Sequence, residues 1–210
     1  MEIMDLVNML ARWGHLLFGM TWIGLLYYFN FIQGGYFKSA TPEGLKDAKA
    51  KLAPEALWWF RWGAMFTFLT GLVLLAGVGK MHVMNDFIVV GAALGTLMFM
   101  NVWMIIWPNQ KIALGIVEGD AAAAGPKALL ASRTNVLFSG PMAFCMMAGP
   151  HFGGYGMGVG STAMWIALAI VAALFINGLK GKQGPMTTVR GVIVSSLVLT
   201  VVLVGILKAL

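Results

Sequence analysis

Six apolar stretches, near residues 6–31, 56–78, 85–107, 129–150, 160–178 and 189–208, decide what this chain can become. A bilayer core of ~30 Å is crossed by about 20 helical residues rising 1.5 Å each, and all six are of that order. Their apolar residues run continuously rather than alternating, which argues against barrel strands and for helices that satisfy their own backbone groups. With 60% apolar and 10% charged residues among 210, and a mean hydropathy of +0.83, nothing remains from which a sizeable soluble domain could be built. The expected fold is an all-α integral membrane protein: one domain, residues 1–210, bundling about six transmembrane helices.

The net charge of +6 would suit nucleic acid, but most of the basic residues sit in short segments between apolar runs, so the partner they imply is the lipid bilayer and not a polynucleotide. Lys38, Lys46, Lys49 and Lys51 fall between spans one and two, Lys111 and Lys127 between three and four, and Lys180, Lys182 and Arg190 between five and six. The opposite side carries Lys80, with Lys208 at the far end. By the positive-inside rule the odd-numbered loops are cytoplasmic and both termini outside, as expected for a multi-pass protein of a bacterial cytoplasmic membrane. The first thirty residues lack a basic leader and a small-residue cleavage site, so they read as a span and not as a cleaved signal.

The connections carry their own signals. Gln33 to Pro54 reads as a loop with a short surface helix from Lys46 to Ala53, Asp120 to Lys127 as a bland connector, and Gly149 to Gly160 as an irregular outer segment containing His151. Trp58, Trp59 and Trp62 around Arg61 have an ordinary reading as an interfacial aromatic belt, with the arginine reaching for headgroups. Gly91 and Gly95 form a small-xxx-small pair suited to close helix packing. Asn101 stands at helix depth, where an amide must find a partner or a ligand.

The stretch Arg12-Trp13-Gly14-His15-Leu16-Leu17-Phe18-Gly19-Met20-Thr21-Trp22 places an arginine and a histidine inside the first span, and ionisable residues at that depth are functional candidates. Three-and-four spacing sets Arg12, His15, Gly19 and Trp22 on one face, with a glycine leaving room beside the histidine for something flat. No span has a central carboxylate, which disfavours proton pumping and paired-carboxylate hydrolysis, and phosphate loops, zinc spacings and a Ser/His/Asp set are missing. Cys145 alone can make neither an internal disulfide nor a cysteine-based cluster.

That leaves imidazole. In an apolar helix bundle a neutral histidine can ligate haem iron while arginine pairs with a propionate, or it can bond structurally to a neighbouring helix; His15 with Arg12 one turn away fits either. His151 is a second axial ligand or a surface residue, and His82 reads as solvated in a short turn. A His15/His151 pair meets an objection of depth, since a span starting near Leu6 sets His15 ~13 Å below the outer face while His151 follows Pro150 at the outer end of span four. Met20, Met98, Met142, Met146 and Met147 are alternative sixth ligands.

Several stretches together resemble the membrane urate oxidase N-terminal family, also called membrane urate hydroxylase: Arg12-Trp13-Gly14-His15 with Trp22-Ile23-Gly24; Pro54-Glu55 through Trp59-Phe60-Arg61-Trp62 with Thr70-Gly71; Gly91 through Thr96; and Asn101-Val102 with Ile106-Trp107-Pro108-Asn109-Gln110-Lys111. The likeness continues more weakly through Asn135, Pro141 and His151. It implies a multi-span helical domain, of which this would be a short form without the family's C-terminal cytochrome c; the sequence holds no Cys-x-x-Cys-His motif. It also implies an oxidoreductase acting on a small molecule. By position, the resemblance implies His15 and His151 as metal ligands of haem b, with Arg12, Trp22, Asn101, Asn109 and Gln110 around the cofactor, and a c-type cytochrome or larger membrane complex as electron partner. Ala56, Val89 and Thr134 stand where family histidines are expected and Gly63 where a glutamate is usual. A non-catalytic subunit packed in a larger respiratory or oxygenase complex is the alternative these departures favour.

Overall fold

A computed structural model describes residues 3–80, 84–152 and 158–209, and all its regular structure is helical. The long helices are α1 (Ile3–Ser39), α2 (Pro42–Gly79), α3 (Asp86–Ala113), α4 (Ala121–Phe152), α5 (Thr162–Lys180) and α6 (Val189–Ala209). Five of them, all but α4, are long and apolar enough to cross a membrane. The expected short turn at His82 lies outside the described residues.

The helices outrun the apolar stretches that announce them. At 37 and 38 residues, α1 and α2 are each ~55 Å long, well beyond a bilayer core. The polar segment expected as a loop therefore continues both helices, and the chain breaks only at Ala40 and Thr41. The break has local causes: Ala40 is extended, the Thr41 hydroxyl accepts the Gly44 N–H at 3.2 Å, and Pro42 starts α2 with its fixed φ. Ala48, Ala53 and Leu57 keep a buried stripe running through this polar part, so helical pairing persists after the hydropathy has fallen.

α4 is the helix around which the others pack. It begins at Ala121 because the Asp120 carboxylate accepts the N–H groups of Ala122 and Ala123, which makes the expected connector its first two turns. It runs to Phe152, taking in Gly149 and Pro150 from the expected irregular segment. Every residue from 131 to 139 is buried, so its faces meet α1, α3, α5 and α6 in turn. A helix enclosed on all sides need not be uniformly apolar. α4 carries Arg133 and three prolines and has the sequence least like a span.

Small residues set the approach distances. An added Cβ at Gly91 would lie 3.1 Å from Cys145 Cβ, and one at Gly95 3.4 Å from Met142 Sδ, so both glycines pack α3 on α4. On α5, an added Cβ at Gly178 would lie 2.5 Å from Thr134 Oγ1. α1 and α2 form an antiparallel hairpin of their own, with Trp22 over Gly63 and His15 over Gly71. Phe68 stacks on Phe99 with centroids 4.2 Å apart, and Trp62 meets Trp103 edge-on, joining α2 to α3.

Candidate functional site

His15 lies half-buried in the α1–α2 seam. Its Nδ1 is 2.9 Å from the Thr67 carbonyl and 3.1 Å from the Thr70 hydroxyl. A carbonyl can only accept, and the Thr70 hydroxyl already donates to Phe66 O at 2.6 Å, so Nδ1 carries the proton and donates to both. The tautomer is thereby fixed: Nε2 keeps its lone pair, and no hydrogen bond engages it among the described residues. Backbone anchoring of one ring nitrogen is the arrangement by which proteins orient a ligating imidazole. Gly71 makes room for the ring, since a Cβ there would lie 3.2 Å from His15 Cε1.

The residues expected around His15 are only partly gathered there. Trp22 is 2% exposed and packs against Gly63, with its indole N–H buried and unpartnered. Gly19 faces α2, with an added Cβ 3.9 Å from the Thr67 methyl, so α2 occupies the space that glycine offered. Arg12 is exposed and joined to His15 by no hydrogen bond or ion pair; it lies off the face through which Ala11, Gly14, Phe18 and Trp22 pack. His151 is exposed at the end of α4, which Lys208 ties to α6 by donating to the Phe152 carbonyl at 3.1 Å. α2, not α4, stands against His15. Of the methionine alternatives, Met98 and Met142 face the α3–α4 contact and Met20 is exposed. Among the described residues no three of His, Cys, Asp and Glu are grouped to hold a metal.

One turn along α1, an open groove of about 320 Å³ runs beside the α1–α2 seam, lined by Leu17, Phe18, Thr21, Trp58, Trp62 and Phe66. Its size lies at the lower end of the ~300–1,000 Å³ usual for small-molecule sites, and its walls are largely aromatic. His15 does not line it. Arg61, expected to reach for headgroups, lays its guanidinium over the Trp107 ring at 3.9 Å.

A second constellation lies deeper, on α4. Asn101 and Asn135 are both fully buried; Asn101 Nδ2 donates to Asn135 Oδ1 at 2.9 Å, and Asn135 Nδ2 donates to Met98 O at 3.0 Å. On the α1 side, Asn30 Nδ2 donates to Ser132 Oγ at 2.7 Å and to Leu26 O at 2.8 Å. Ser139 donates to Val136 O, so at 2.9 Å it is the Tyr27 hydroxyl that donates to Ser139. Asn30 and Asn101 each sit in a widened π-helical turn, Tyr28–Gln33 and Asn101–Ile106, a local geometry frequent at functional sites. Asn109, expected beside the cofactor, instead closes on its own helix by donating to Ile105 O at 2.7 Å. Asn30 Oδ1, Asn101 Oδ1, and Nε and Nη1 of Arg133 are buried without partners.

Asn101 and, weakly, Asn135 are the members of this belt singled out from the sequence. Asn30 and Arg133 carry the same signal, a polar residue inside an apolar run. Tyr27, Ser132 and Ser139 have none, because such residues pass unnoticed in any helix.

Residues 78–204 match the family model described as urate oxidase N-terminal, a stretch that covers α3, α4 and α5 and most of α6. No curated protein and no solved structure matches the chain.

Proposed function

The chain belongs to the urate oxidase N-terminal family, and from that premise we propose that it is a haem-binding membrane protein in which His15 is an axial ligand. In this reading α4 is a sixth span, both termini lie outside, and the membrane is the bacterial cytoplasmic one. The single observation that carries it is the Nδ1 bond to the Thr67 carbonyl, which leaves the Nε2 lone pair free to ligate. The donor set fits one neutral imidazole ligand, and Arg12, exposed one turn away and without an ion pair among the described residues, is free to meet an anionic group. His151, exposed at the end of α4, is the second residue that would hold the group. Haem b would supply a one-electron store whose potential the axial ligand and burial tune. The chain's own residues orient the imidazole and line the neighbouring groove with Trp62 and Phe66. A small-molecule substrate, as the family's description suggests, would deliver electrons that leave to a c-type cytochrome or a larger membrane complex.

A reduced-minus-oxidised spectrum of the detergent-purified protein tests this. We expect a haem b α-band that is lost in His15→Ala; a well-folded, colourless wild type sinks the proposal, and a band surviving in His15→Ala moves the ligand elsewhere. The rival reading, a non-catalytic subunit of a larger complex, is favoured by the outer half of α1, where Trp13, Leu16 and Met20 are each more than 60% exposed. That reading predicts a colourless protein that copurifies with larger subunits.

A further inference from the structure

Arg133 is a cation placed where a cation is costly. It is 8% exposed, and its Nε and Nη1 are buried with no hydrogen-bond partner, although every other residue from 131 to 139 is also packed against neighbouring helices. Among the described residues no carboxylate is paired with it, and the salt bridge found there is the exposed Lys51–Asp47. An uncompensated buried charge costs several kcal/mol, so the guanidinium calls for an anion that the described residues do not provide.

Helix register shows where that anion would sit. α4 and α6 run parallel and in step: Gly140 faces Ser196, and the Phe152 carbonyl meets Lys208, the same separation in sequence. Arg133 lies two turns below Gly140 on the same face, which sets it level with Val189, the first residue of α6. Across α5 the contact of Thr134 with Gly178 puts Arg133 level with the last turn of that helix, which ends at Lys180. Arg133 is therefore buried just behind the bundle rim where α5 ends and α6 begins. The N-terminus of α6 adds the positive end of a helix dipole. Exposed Lys180, Lys182 and Arg190 ring the same rim. Glu118 and Asp120 lie on the α3–α4 connection, and the Asp120 carboxylate is engaged in capping α4.

We propose that this rim binds the phosphate of an anionic phospholipid, with Arg133 as its buried anchor, the start of α6 as a dipole partner and the exposed lysines and arginine as its outer ring. A guanidinium pairs with phosphate oxygens through two parallel N–H bonds, and a lipid headgroup reaches this depth while its tails stay in hydrocarbon. The site is separate from His15, so it stands or falls independently of the haem reading.

The test uses the full chain in a non-ionic detergent, titrated with phosphatidylglycerol, phosphatidylcholine or inorganic phosphate, with the unfolding midpoint and lipid retention in native mass spectrometry as readouts. Phosphatidylglycerol should raise the midpoint and stay bound through detergent exchange, while phosphatidylcholine should not. Arg133→Gln should weaken phosphatidylglycerol binding at least ten-fold, Arg133→Lys should recover part of it, and His15→Ala should leave it unchanged. If Arg133→Gln does not fold, the wild-type comparison of the two lipids and the Arg133→Lys titration decide the matter. Equal effects of both lipids, or full retention in a folded Arg133→Gln protein, overturn the proposal. Stabilisation by millimolar phosphate that displaces phosphatidylglycerol overturns the lipid as the source.

Discussion

Replacing Asn101 and Asn135 singly and together with leucine, which matches asparagine in side-chain branching and heavy-atom count, measures what the deep amide pair contributes. Asn135→Leu removes two hydrogen bonds, the one received from Asn101 at 2.9 Å and the one given to Met98 O at 3.0 Å. Interhelical bonds in membrane bundles average about 0.6 kcal/mol and reach about 1.7, so the two are worth roughly 1–3 kcal/mol. The change also strands Asn101 Nδ2 beside its already unpartnered Oδ1, which adds about 1 kcal/mol or more. Asn101→Leu removes one bond and strands Asn135 Oδ1, but it also deletes that unpartnered Oδ1. Its cost should therefore be smaller, about 1 kcal/mol, offset in part by relieving a buried orphan. The double variant should cost less than the sum of the singles by about 0.6–1.7 kcal/mol, because its second change strands nothing new between the two. Reversible unfolding in mixed micelles, with ΔΔG read from the midpoints of the four proteins, supplies the cycle. Strict additivity, or an Asn101→Leu protein less stable than Asn135→Leu, would refute the assignment of donor and acceptor.

Gly178→Ala should destabilise by about 1–3 kcal/mol through overpacking, because its Cβ would fall 2.5 Å from Thr134 Oγ1; Thr134→Ala in the same chain should recover most of the loss in the same unfolding assay. Gly71→Val should displace the His15 ring, whose Cε1 lies 3.2 Å from an added Cβ, and should lower haem content several-fold at unchanged helix content by circular dichroism. Retention of full haem occupancy in Gly71→Val would separate the cofactor from His15.

The sequence was most informative where lipid dictates the answer and least where protein does. Five of the six apolar stretches became helices of the expected kind, because apolar length is set by the bilayer and is written residue by residue. Helix ends were misplaced wherever pairing continues past the apolar run: the buried stripe of Ala48, Ala53 and Leu57 has no hydropathy signature, yet it carries α2 back to Pro42. The first turns of α4 were hidden for a related reason, since Asp120 as a cap is a single residue among alanines. For the site, the position of His15 in a span was legible, but its partner is a backbone carbonyl, and no side-chain pattern reports a carbonyl. Arg12 and His15 share a turn of helix without sharing an environment. Spacing fixes an angle around the axis; which angle is covered depends on the neighbouring helix.

The polar belt gives the α1–α2 hairpin its place beside α3–α6. Lipid tails are as apolar as leucine, so burial alone gives two apolar helices little reason to associate in a bilayer. Within the hairpin, glycines let the backbones close up at Gly63 and Gly71, and within α3–α6 Gly91, Gly95, Gly140 and Gly178 do the same. Between the two units, α2 offers α3 aromatic contacts at Phe68 and Trp62, and α1 reaches α4 through two directional bonds, Asn30 to Ser132 and Tyr27 to Ser139. Those bonds fix register where apolar packing would let the hairpin slide. They join α1 to α4 on the C-terminal side of Trp22, while Leu10, Trp13, Leu16 and Met20 stay exposed along its N-terminal half. The anchored end of the hairpin holds α1 against the bundle, and the free end carries His15 half-buried in the α1–α2 seam.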